Sequence, residues 1–208
     1  MKTSGRHRGP GKDVFINCPF DDDYQPVFRA IVFAIRACGL NPRCALEIDD
    51  GAEVRVEKII RIMRGCPLSV HDISRTTLDR SSKLPRFNMP FELGLFIGLA
   101  RGAGKRRPSL ILDTERYRYQ QFISDIAGQD IRAHAGDPLR AITHIRDWLN
   151  TLFPSERLMG GQAFGKLYQQ FTADLPKSLK ASRLTDDELT FVDWSWLIAD
   201  WLNVNQHR

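Results

Sequence analysis

Short apolar runs recur roughly every 25 residues along this chain, each parted from the next by a segment of helical periodicity. The runs lie at 13–17, 42–48, 67–73, 108–113 and, more weakly, 129–133. Between the first two, Val27, Ile31, Ala34, Ile35 and Cys38 share one helical face, and Gly39 follows as a stop. Val56, Ile59, Ile60 and Met63 do the same over 52–65. A helix from about 88 to 101 precedes the fourth run, and 115–127 reads as helical. Asp137-Pro138 supplies an N-cap and a first-turn proline for a helix with Leu139, Ile142, Ile145, Trp148 and Leu149 on one face. Strands alternating with helices require a parallel sheet covered on both faces. The expected fold is α/β, a flavodoxin-like doubly wound sheet of order 2-1-3-4-5, with a ligand at the switch between strands 1 and 3.

Three divisions follow. Residues 1–12 hold Lys2, Arg6, Arg8 and Lys12 with no acid, and carry most of the net charge of +5. They are expected to be a disordered basic tail, with only weak, salt-sensitive affinity for nucleic acid. This segment has no apolar h-region, so a secretory leader is not expected. Residues 13–154 form the α/β domain and 155–208 a helical extension. In the extension, 161–173 and 186–203 read as helices, Thr185 and Glu188 match a capping box, and Trp194, Leu197, Ile198 and Trp201 share a stripe from which Trp196 departs. Two apolar faces on one helix suggest contact with the domain and with a second copy or a protein partner.

No apolar run approaches the roughly 20 residues of a membrane span. Cys18, Cys38, Cys44 and Cys66 form no CxxC pair, which fits reduced thiols in the cytoplasm better than disulfides or a metal site.

The polar residues gather where the strands end. Strand 1 ends at Asn17-Cys18-Pro19-Phe20-Asp21 and strand 3 at His71-Asp72-Ile73-Ser74; a polar stretch over 74–88 leads to Asn88-Met89-Pro90-Phe91-Glu92-Leu93-Gly94. Glu92 stands alone in an apolar helix start, so it must be paired, hydrogen-bonded or used. Asn17, Cys18, Pro19, Phe20 and Asn88 are candidates for holding a substrate, with His71 as a donor to a leaving base and Arg43 and Arg86 as phosphate clamps. Structural roles stand beside each: a helix N-terminus for the Asp21–Asp23 loop, a strand-end cap for Asp72, a satisfied strand histidine for His71. A receiver domain would need a lysine after strand 5, which 129–135 lacks, and Gly102-Ala103-Gly104-Lys105 lacks the GxxxxGK[ST] frame of a phosphate loop.

Three motifs carry a resemblance. Phe15-Ile16-Asn17-Cys18-Pro19-Phe20, Val70-His71-Asp72-Ile73 and Asn88-Met89-Pro90-Phe91-Glu92-Leu93-Gly94 resemble, in order and spacing, the first strand, third strand and helix start of nucleoside 2-deoxyribosyltransferases. There a glutamate in the position of Glu92 attacks the sugar C1′. A helix-borne glutamate also serves Toll/interleukin-1 receptor (TIR) domains that cleave NAD. The likeness covers about 13–150. The Asp-Ser-Gly-Thr segment common before the transferase glutamate is replaced by Arg86-Phe87-Asn88-Met89-Pro90, and the Ser-rich, Trp-Cys approach of TIR domains is absent. The resemblance implies a nucleotide N-glycosidase, a hydrolase with NAD as preferred substrate and no cofactor, with Glu92 and Asp72 catalytic, acting as a homo-oligomer in antiviral defence or as a toxin. A non-catalytic nucleotide-sensing module and a nucleoside deoxyribosyltransferase-like enzyme are the alternatives.

Overall fold

The structure, a computed structural model, describes residues 11–76, 85–104 and 106–205. Most of the basic tail expected at 1–12, the centre of the polar stretch over 74–88, and Lys105 lie outside the described residues.

Five parallel strands form one sheet in the order β2-β1-β3-β4-β5. They are β1 (Asp13–Asn17), β2 (Asn41–Arg43), β3 (Leu68–Asp72), β4 (Ser109–Asp113) and β5 (Ile131–Ala133). The flavodoxin-like order expected from the sequence is the order observed. Helices α1 (Gln25–Ala37) and α4 (Pro138–Leu152) cover one face, and α2 (Arg55–Gly65) and α3 (Asn88–Gly102) the other. Alternation along β1 divides its side chains between two cores. Val14 and Ile16 join the α1/α4 core, while Phe15 joins Ile59, Ile62, Met63 and Phe96. Asp137 caps α4 as expected, its Oδ1 accepting from the Leu139 amide at 2.8 Å.

Three elements differ from expectation. The second strand stops at Arg43, and Ala45–Glu47 turns as a 3-10 helix because Arg43 and Glu47 pair across it, Nε donating to Oε2 at 2.6 Å. The 115–127 segment forms two 3-10 turns, Arg118–Gln121 and Ser124–Ile126, where Arg118 is drawn inward to Asp113. Leu139, assigned to the buried face of α4, lies at its margin, 36 % exposed.

The extension folds onto the domain rather than beside it. Helix α5 (Gly161–Ser182) is longer than expected, and α6 (Phe191–Asn205) follows. Phe164, Phe171, Phe191, Trp194, Ile198 and Trp201 complete the core begun by α1 and α4. The expected stripe is buried, and Trp196 is 56 % exposed. The Thr185/Glu188 box caps the 3-10 turn Asp186–Glu188, while Thr190 and Asp193 exchange the reciprocal bonds at the start of α6, the Asp193 amide donating to Thr190 Oγ1 at 3.2 Å. Among the described residues no helix is long and apolar enough to cross a membrane.

Helix α5 begins pressed against α4. A β-carbon on Gly161 would sit 2.9 Å from Thr143 Cγ2, whereas one on Gly165 would meet Leu139 at an ordinary 3.7 Å. Gly161→Ala is therefore expected to lower stability by about 1 kcal/mol through overpacking. Gly165→Ala should be neutral or stabilising by up to about 1 kcal/mol, since it removes a helical glycine without a clash. Urea denaturation of the two variants checks the contrast.

Candidate active site

The site starts from one buried amide. Asn17 closes β1 on the α2/α3 face and is 2 % exposed. Its Nδ2 donates to the Met89 carbonyl at 2.8 Å and to His71 Nδ1 at 3.0 Å. Both amide hydrogens are thus used, and the start of α3 is tied to β1 and β3 together. Because His71 Nδ1 accepts, its ring proton is on Nε2. Burial pushes the His71 pKa down to about 3, so the ring stays neutral. It lies 5.4 Å from the Phe96 ring and 6.0 Å from Phe15, and Nε2 has no partner among the described residues.

One turn into α3 stands Glu92, 9 % exposed. No hydrogen bond or ion pair reaches its carboxyl from the described residues. Burial raises its pKa to about 7, opposed by the positive charge of Arg55 at the start of α2. Buried carboxylates are ordinarily given donors; among the described residues the charge that acts on this one is that of Arg55. Cys18, buried at the end of β1, is within electrostatic reach of Glu92, Asp72 and Asp21, and its thiol is held well above its usual pKa by burial first and by those acids next.

The other carboxylate has the opposite environment. Asp72, the last residue of β3, points to the α1 side and is fully buried. His134 Nε2 lies 2.8 Å from its Oδ2, and Oδ1 accepts from the Ser74 amide at 2.9 Å and from the Ser74 hydroxyl. Burial raises the carboxyl, but the bonds from His134 and Ser74 outweigh it and hold Asp72 below the usual carboxylate range. The Gly136 amide donates to His134 Nδ1 at 3.0 Å, so the ring proton is on Nε2 and is given to Asp72. Ser74, His134 and Asp72 have the composition of a hydrolytic triad without its wiring. A relay needs the serine and the acid on different ring nitrogens, and here Nε2 faces both. This cluster locks the sheet edge. The Tyr24 hydroxyl is buried beside it, near enough for Asp72 to raise its pKa after burial has done so, yet without a hydrogen bond of good geometry.

Arginines bind the loops above the sheet. Arg118 donates to the Ile73 and Ser74 carbonyls at 3.0 and 2.9 Å and pairs with Asp113. Arg75 pairs with Asp21 at 2.6 Å and Asp23 at 3.2 Å, and Arg86 approaches Asp21 at 3.4 Å.

The structure brings Asn17, Cys18, Pro19, His71 and Glu92 to one region, with Asn88 exposed at the start of α3 and Phe20 on the rim, its ring 5.2 Å from Phe28. It turns Asp72 away and seals it. It commits Arg43 elsewhere: the guanidinium is held by Glu47 and by Asp13 at 2.7 Å, beside the start of β1. Residues that sequence reasoning passed over are Arg55, Tyr24, Ser74, Arg75, Arg118 and His134. For His134 the one available signal was a histidine directly after a strand. No protein-family model matches the chain, and no curated protein matches it.

Glu92 binds its proton more tightly folded than unfolded. Its contribution to stability is therefore full below the ordinary carboxylate pKa of about 4.3 and is lost as pH rises through about 7. Glu92→Gln should make the protein more stable than the parent at pH 8, by about 1–3 kcal/mol, with the gap closing by pH 4. Thermal melts across that range test this, and a variant less stable at pH 8 would mean that the carboxylate is bound by structural partners.

Proposed function

We propose that the chain is a nucleotide N-glycosidase in which Glu92 acts at the sugar C1′, with NAD as the preferred substrate. The observation that carries the reading is the environment of Glu92: a nearly buried carboxylate, without a hydrogen-bond partner among the described residues, at the switch point of a doubly wound sheet. Breaking the C1′–N bond leaves positive charge on the sugar, and a carboxylate in a water-poor setting stabilises or captures it. The bonding electrons go to the departing base. Nicotinamide leaves NAD as a neutral molecule and needs no proton, whereas most bases leave readily only when protonated. His71 is neutral and enclosed and His134 is committed to Asp72, which favours the pyridinium substrate. Arg55, whose charge acts on Glu92 from the start of α2, takes the role of holding the diphosphate in this reading, in place of Arg43. The order and spacing of the three motifs resembling deoxyribosyltransferases and TIR domains support the same chemistry.

The exposed Trp196, with Val192 at 54 % and Val204 at 60 % exposure on α6, supports a homo-oligomer. A sensing module that binds nucleotide without turnover is the second reading. The sealed Asp72 favours it, because Glu92 is then left without a second carboxylate to work with.

Incubating the protein with NAD, nucleosides and nucleoside monophosphates, then separating the released base by chromatography, decides between them. Release from NAD should rise with pH through about 7, as Glu92 ionises. Glu92→Gln should lose at least about 100-fold, the scale of removing a main electrostatic stabiliser. Unchanged turnover would refute the assignment, and binding of NAD with no turnover in the parent protein would establish the sensing module. Light scattering of the parent and of Trp196→Asp should show an assembly that the substitution dissociates.

A further inference from the structure

A groove runs along the β5 edge of the sheet, and Glu92 is not among its lining residues. Two cavities of about 320 and 570 Å3 share Arg116, Ala133 and His144 as a common wall and so adjoin end to end. Arg116, Arg132, Arg140 and Lys166 line them, against one carboxylate, Asp130. Arg116 and Lys166 are exposed and have no ion pair among the described residues. Arg140 meets Asp137 at 3.6 Å on the open surface, a pairing worth little in water. At the rim stands Tyr117, 68 % exposed, with its backbone in the left-handed region at φ 62°. A bulky residue held in that conformation stores strain, and strain of this kind concentrates where a side chain is presented for a purpose. The neighbours on either side explain the presentation: Arg118 and Tyr119 are turned inward, Arg118 onto Asp113, which leaves Arg116 and Tyr117 outward.

We propose that this groove binds a single-stranded nucleic acid, its phosphates tracking Arg116, Arg140 and Lys166 and a base stacking on Tyr117. Exposed cations along a groove beside an aromatic platform are what a flexible polyanion with planar bases requires. A duplex is read by a protruding helix or ribbon entering its groove, and this surface is concave. The site is built from other residues than the weak contact expected of 1–12, and it does not depend on the glycosidase reading.

The test is fluorescence anisotropy of a labelled 15-nucleotide oligo(dT) with the full chain at 50 and 200 mM salt. Saturable binding that weakens steeply with salt is expected. Arg116→Glu with Lys166→Glu should weaken it at least tenfold and flatten the salt dependence, and Tyr117→Ala should weaken it about tenfold. Lys2→Gln, Arg6→Gln, Arg8→Gln and Lys12→Gln combined should leave most of the binding. Photocrosslinking of a bromodeoxyuridine strand to the parent protein should mark the peptide that holds Tyr117, without any substitution. No saturable binding at 50 mM salt overturns the proposal. So does binding lost with the four N-terminal substitutions but kept in the groove variants, crosslinking elsewhere, or equal affinity for a duplex of the same length.

Discussion

The two hydrogen bonds given by Asn17 hold the candidate site in shape. One side chain on β1 reaches a carbonyl at the start of α3 and a ring nitrogen on β3. Apolar packing alone orients a helix loosely, because dispersion contacts lack direction. A buried amide with both hydrogens engaged adds direction, and its cost if broken is the desolvation of three polar groups. The depth at which Glu92 sits therefore follows from a residue 75 positions earlier in the chain.

Two acids at the same sheet edge have opposite fates. Asp72 is fully buried yet ionised, since His134 and Ser74 supply donors on both its oxygens. That saturation makes it a clamp: His134 reaches past the end of β4 and joins the β3 and β5 ends. Glu92 has no donor among the described residues, and burial raises its proton affinity.

The C-terminal helices belong to the same argument. Phe191 lies 6.1 Å from Phe28, and Phe28 meets Phe20 in the loop that follows β1. Arg29 is clasped between Asp186 and the Trp194 ring, 4.8 Å from its centroid. An extension read from sequence as an appendage thus buttresses the loop at the rim of the site, through aromatic contacts that are stiff because each ring has few rotamers.

Much of the architecture was legible in the sequence because it rests on local period and punctuation. Alternating runs, the Asp137 cap, the buried stripe of α6 and the place of Glu92 at the start of a helix after strand 3 all depend on neighbours within a turn or two. The strand order followed from the handedness and burial rules that alternation imposes. The end of β2 was not legible, because the Arg43–Glu47 pair overrode the apolar run. Nor were the roles of the polar residues: Asn17 finds His71 and Met89 at separations of 54 and 72 residues, and Asp72 finds His134 at 62. Which carboxylate is satisfied, and which finds no donor among the described residues, is decided by partners that only the folded chain brings within 3 Å, and a hydrogen bond, unlike a hydrophobic period, leaves no repeat in the sequence.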